Sequence, residues 1–137
     1  MQTMRQVALA LEEKMNILTK ATEIRFQQIK HLQVMIFADQ YEMERLEQRQ
    51  GNKKEIQVRK RTLQRSMEEK NMEIQTLREA TRRIEKHPYA HVITGKYWDG
   101  TSDEKLAVEL CCDISTIRRN RKKLLANMAV YLYDIKE

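Results

Sequence analysis

From Met1 to about Gln50 the chain has neither Gly nor Pro, and its apolar residues fall on a heptad. One row runs Ala8, Met15, Thr22, Ile29, Ile36, Met43, and the other runs Met4, Leu11, Leu18, Arg25, Leu32, Asp39, Leu46. Only Thr22, Arg25 and Asp39 break the rows, so the periodicity predicts a long coiled-coil-like helix. "RQGNKKE" then interrupts it. Gly51 suits a left-handed helix end, and Asn52 with Glu55 suits a capping box that opens a second helix. That helix is expected to reach about Lys86, with rows Ile56, Leu63, Lys70, Leu77, Ile84 and Lys60, Met67, Ile74, Thr81. His87-Pro88 marks the next boundary, because Pro fits a first helical position.

A tight turn at Gly51 makes the two helices antiparallel neighbours. In that register Leu46 lies beside Ile56, Ile36 beside Met67, Ile29 beside Ile74 and Leu18 beside Ile84. Thr22 meets Thr81, whereas Arg25 and Asp39 face Leu77 and Leu63, and Lys70 faces Leu32, so those layers match poorly. Residues before about Met15 overhang the second helix, and Met4, Ala8 and Leu11 need another partner, for which the C-terminal segment is available. "IRFQQIKHLQVMIF" is apolar nearly all round, which implies burial on more than one side. Phe26, Val34, Met35 and Phe37 are therefore expected at a homodimer interface, with packing on the C-terminal segment as the alternative.

After Pro88 the pattern changes to short helices with sharp punctuation. "PYAHVITGKYW" reads as a short helix whose apolar residues are Val92, Ile93, Tyr97 and Trp98, ended by Asp99-Gly100. Thr101 with Glu104 reads as a capping box opening a helix whose Leu106, Ala107 and Leu110 share a face. Cys111-Cys112 forms a brief turn, and Asp113 caps a last helix with Ile117, Leu124, Leu125, Met128 and Leu132 at helical spacing. Helix, short turn, helix is the helix-turn-helix arrangement. The whole is expected to be all-α: a hairpin over residues 1–86 that serves oligomerisation, then a helix-turn-helix domain over 87–137.

Charge gives that last helix a purpose. The 137 residues carry a formal charge of +6 and three Gly with one Pro, and the isoelectric point is about 9.4. Such a balance admits nucleic acid or an anionic surface as partner. Five cations occupy the six positions Arg118 to Lys123 with no acid among them. On a helix Ser115, Arg118, Arg119 and Lys122 share one face, opposite Ile117, Leu124 and Met128. Arg118 and Arg119 with Ser115 are placed to read bases, since Arg matches guanine bidentately. Thr101, Thr116, Arg121, Lys122 and Lys123 are expected on the DNA backbone. No segment is apolar enough to span a bilayer, and acids interrupt the N-terminus before a signal-like core, so a cytoplasmic protein is expected. Cys111 and Cys112 lack further ligands at metal spacing, and His31, His87 and His91 are widely spaced. No catalysis, metal or cofactor is therefore expected.

The segment "KYWDGTSDEKLAVELCCDISTIRRNRKKLLANMAVYLY" resembles the C-terminal part of phage-encoded regulators of the ArpU/RinA type and the related region four of sigma factors. The resemblance rests on Tyr97, Trp98 and Gly100, on Ala107 and Leu110, and on Ser115, Thr116, Ile117, Arg118, Arg121 and Leu124. It implies a DNA-binding transcriptional regulator of late phage genes, such as packaging or lysis operons, in a bacterial host, whereas the homodimer or higher homo-oligomer is expected from the apolar segment of the hairpin. It also implies that Ser115, Arg118 and Arg119 touch bases, and it leaves contact with RNA polymerase open. Cys111 stands where that family usually has Gly, and Ile114 and Asn120 also depart from its pattern. Two other readings fit the same elements: a small terminase-like DNA-recognition subunit and a sigma-like polymerase-binding factor.

Overall fold

The computed structural model describes residues 3–134, whose regular elements are all helical, with no strand among them. The six helices are α1 (Met4–Gln27), α2 (Ile29–Gln48), α3 (Lys53–Arg82), α4 (His91–Ile93), α5 (Asp103–Glu109) and α6 (Ile114–Leu132). α4 runs directly into a π-helical turn, Thr94–Trp98. The expected first helix is thus divided at Gln28, a single residue with φ −83° and ψ −9°. The turn at Gly51 forms as expected, although its φ of +157° lies outside the left-handed well. Asn52 Oδ1 accepts from the backbone N–H of Lys54 and Glu55 at 3.0 and 3.4 Å, so it starts α3 in the expected way.

The chain divides into two compact units, one of Gln28–Thr76 and one of Met1–Gln27 with Leu77–Glu137. The division differs from a boundary at residue 86. The first of these units is an antiparallel helical hairpin of α2 and most of α3, and Ile29, Leu46, Leu63, Met67 and Ile74 are buried in it. Across the two antiparallel helices, the exposed Arg59 donates to both Glu42 oxygens, at 2.9 and 3.1 Å. Asp39 and Lys70, which the layer pattern sets opposite Leu63 and Leu32, are paired with each other. Lys70 Nζ donates to Asp39 Oδ2 at 2.8 Å, and the Ser66 hydroxyl donates to the same oxygen at 3.0 Å. Burial opposes ionisation of Asp39, but the Lys70 and Ser66 hydrogen bonds outweigh it and leave the carboxyl below its ordinary value.

In the other unit α1 packs on α6. Thr19, Thr22 and Phe26 of α1 are buried, as are Leu77, Ala80, Thr81 and Ile84. The Thr22 hydroxyl donates to the Leu18 carbonyl at 2.8 Å, and the Thr81 hydroxyl to that of Leu77 at 2.8 Å, so neither buried hydroxyl is left unsatisfied. Phe26 is 1% exposed and lies 5.4 Å from the Tyr97 ring. Burial among these groups pushes the Tyr97 hydroxyl up to about 12. Trp98 donates its indole N–H to Thr81 Oγ1 at 3.1 Å, beneath the Arg78 guanidinium at 4.5 Å. Tyr97 and Trp98 are therefore packing residues of this unit. The overhang did not find the partner expected for it: Met4 and Leu11 are 89% and 59% exposed. The section of α1 that docks lies further along, at Thr19 to Phe26.

Candidate nucleic-acid interface

α5, a turn at Leu110–Cys112 and α6 form the helix-turn-helix. Ser102, rather than Thr101, caps α5: its Oγ accepts from the Lys105 N–H at 3.2 Å. Thr101 instead donates its backbone N–H to the Gly95 carbonyl at 2.7 Å and is half-buried. The turn passes through Cys111 at φ +52°, a left-handed conformation in a position without Gly. Asp113 caps α6, accepting from the Thr116 N–H at 2.8 Å and the Ser115 hydroxyl at 2.9 Å. The Thr116 and Ser115 hydrogen bonds hold its carboxyl well down, at about 2. The cap stays ionised at neutral pH and answers the amides exposed at the helix start.

Leu106, Ile117 and Met128 are completely buried and Leu124 and Leu125 nearly so, which fixes the rotation of α6 about its axis. That rotation leaves Ser115, Arg118, Arg119, Lys122 and Lys123 exposed. Lys122 and Lys123 make no ion pair among the described residues. Arg119 reaches Thr116 Oγ1 only at 3.5 Å. Arg118 is 67% exposed, and its Nε lies 3.3 Å from Asp103 Oδ2. Ser115 is held against Asp113, and Thr116 is half-buried with its backbone carbonyl accepting from the Asn120 side-chain amide at 2.9 Å.

Arg121 departs from its expected place on the DNA backbone. It is 7% exposed and points inward. Its guanidinium takes both oxygens of Asp103, with Nη1 to Oδ2 at 3.3 Å, and donates Nε to the Val92 carbonyl at 3.3 Å. The Arg121 hydrogen bonds, against the opposing pull of burial, hold Asp103 at about 2. The Arg121 guanidinium of α6 thereby ties that helix both to the start of α5, through Asp103, and to α4, through the Val92 carbonyl. The sequence carried a signal for this. Arg121 lies in the apolar stripe of Ile117, Leu124 and Met128, where a charge must find a buried partner.

Phe26 also departs from its expected role, since it is spent inside the chain on Tyr97. The other three residues expected at a dimer interface, Val34, Met35 and Phe37, are 65%, 37% and 75% exposed. Lys20 and Lys96, which drew no notice as candidate contacts, lie with Arg118 and Lys122 along one groove. No cluster of three or more His, Cys, Asp or Glu among the described residues is placed to hold a metal. No described helix is long and apolar enough to cross a membrane. No protein-family profile matches this chain, and neither a curated protein nor a solved structure does.

Proposed function

We propose that the chain is a sequence-specific, double-stranded-DNA-binding transcriptional regulator that inserts α6 into the major groove. The observation that supports this most is the exposed cationic face of a well-capped second helix, with its apolar stripe buried behind it. Arg119, Arg118 and Ser115 read base edges, and Lys122 and Lys123 hold phosphates. Arg119 leads among them, because Arg118 shares Asp103. Arg121 positions α6 and does not touch DNA. Control of late phage or prophage genes follows from the resemblance carried by Tyr97, Trp98, Gly100 and the Ser115–Leu124 segment.

A second copy of the chain supplies the other half-site. Val34, Phe37 and Tyr41 follow helical spacing on α2 and are 65%, 75% and 58% exposed, which makes them the surface for it. Selection of bound sequences from a random duplex pool tests the reading. An enriched motif, with Arg119→Ala abolishing the enrichment, is expected. A folded protein that enriches nothing would contradict it.

A further inference from the structure

A groove of about 510 Å3 runs along one side of α6. Asn16, Lys20 and Glu23 of α1 line it, with Lys96 of the π-helical turn and Arg118 and Lys122 of α6. The charges there are unbalanced. Lys20 pairs with Glu23 at 2.8 Å, while Lys96 at 3.7 Å and Arg118 at 3.3 Å both lean on Asp103. Asp103 is already engaged by the buried Arg121. Four cations, Lys20, Lys96, Arg118 and Arg121, therefore share the two carboxylates Glu23 and Asp103, and Lys122 pairs with neither. A concave surface walled by protein concentrates such a field and draws a polyanion toward it.

The position of the groove identifies that polyanion. Arg118 and Lys122 belong both to the groove and to the outward face of α6. A helix lying in the major groove has a phosphate backbone on either side of it. On one side of α6 stand Thr116 and Lys123, and on the other stands this groove. Lys20 and Lys96 keep 67% and 39% of their side-chain surface in solvent, which suits a long strand passing by better than an enclosed small ion.

We propose that the groove between α1 and α6 seats the sugar–phosphate backbone of one DNA strand, with Lys20 and Lys96 as phosphate contacts, so that α1 is part of the DNA-binding surface. The proposal rests on the DNA-binding reading above. It also gives Glu23 a role: its carboxylate faces the incoming phosphates and weakens binding.

The test is duplex binding by the full chain across a salt series, comparing wild type with Lys20→Ala, Lys96→Ala, Glu23→Gln and Arg119→Ala. Circular dichroism and thermal melting establish that each variant is folded. Lys20→Ala and Lys96→Ala are each expected to reduce the slope of log affinity against log salt by about 1, and to weaken selected and random duplexes alike. Glu23→Gln, which removes a charge without threatening the fold, is expected to tighten both several-fold. If both lysine variants and Glu23→Gln keep wild-type affinity and slope while Arg119→Ala loses selected-site binding, the groove proposal fails and the DNA reading survives. Saturable binding of inorganic tripolyphosphate that Lys20→Ala abolishes, with duplex affinity untouched, makes the groove a free-anion site and also overturns the proposal. A folded wild type without salt-sensitive duplex binding overturns both.

Discussion

Arg121 in α6 and Asp103 at the start of α5 form a buried, two-pronged ion pair, with the guanidinium also donating to the Val92 carbonyl. The pair locks the two helices of the helix-turn-helix to each other. Removing one partner strands the other charge away from water. Arg121→Ala is expected to lower stability by about 2–3 kcal/mol, slightly less than for an isolated buried pair, because Lys96 and Arg118 still approach Asp103. In a double-mutant cycle, Asp103→Asn with Arg121→Met should lose less than the sum of the single changes. Denaturant unfolding measures each of these variants. An Arg121→Ala protein of undiminished stability but shallower salt dependence would return Arg121 to the DNA backbone.

The same pair makes stability depend on pH in a defined direction. Asp103 falls from 3.8 to about 2 on folding, so the folded state binds the proton less readily than the unfolded chain. Its contribution, roughly 2 kcal/mol, is complete well above the unfolded value and is lost as pH falls through 4 toward 2. Asp113 shifts in the same direction, to about 2. Unfolding midpoints should hold steady from about pH 7 to 5 and drop steeply below about 4, following the linkage slope. Asp103→Asn should flatten that acid limb; a limb of unchanged steepness would assign it to other carboxylates.

Cys111 occupies a left-handed turn that its Cβ disfavours, at φ +52°. Glycine relieves that strain at some loss of unfolded-state restriction, so Cys111→Gly should stabilise the chain by about 0.5–1 kcal/mol. Cys111→Val, β-branched in the same conformation, should destabilise it. Thermal melting in the presence of a reductant orders the three proteins, and an unchanged or reversed order would show that the turn stores no strain at this residue.

Phe37 is the most exposed residue of the apolar strip on α2, at 75%. Phe37→Asp should convert a dimer into a monomer by sedimentation while leaving helicity intact, since the side chain contributes nothing to the chain's own core. A wild-type monomer at tens of micromolar would remove α2 as the self-association surface.

Much of this architecture could be read directly from the residues. Leu46, Leu63, Met67 and Ile74 are buried where the heptad rows place them, because the turn at Gly51 and the row phase leave only one antiparallel register. The Asp113 cap and the outward phase of Arg119 and Lys123 were equally legible, being fixed by local spacing. The break at Gln28 was not, since no Gly or Pro marks it and good helix formers stand on both sides. Nor could periodicity say which neighbour takes Phe26 in an all-round apolar segment. That choice depends on α1 docking against α6, a contact between the two ends of the sequence. Lys20 and Lys96 join the candidate interface for the same reason: no spacing links them to Arg118.

Affinity for a fluorescently labelled duplex, measured from about 50 to 200 mM salt, tests the central claim most directly. The DNA-binding reading predicts a steep, log-linear loss of affinity across that range as counterions are released. Arg119→Ala should lose about 1–3 kcal/mol on a selected site and little on random sequence, whereas Lys123→Ala weakens both alike. Duplex binding that is absent from the folded protein, or indifferent to salt and to both substitutions, contradicts the claim that α6 is a DNA-reading helix.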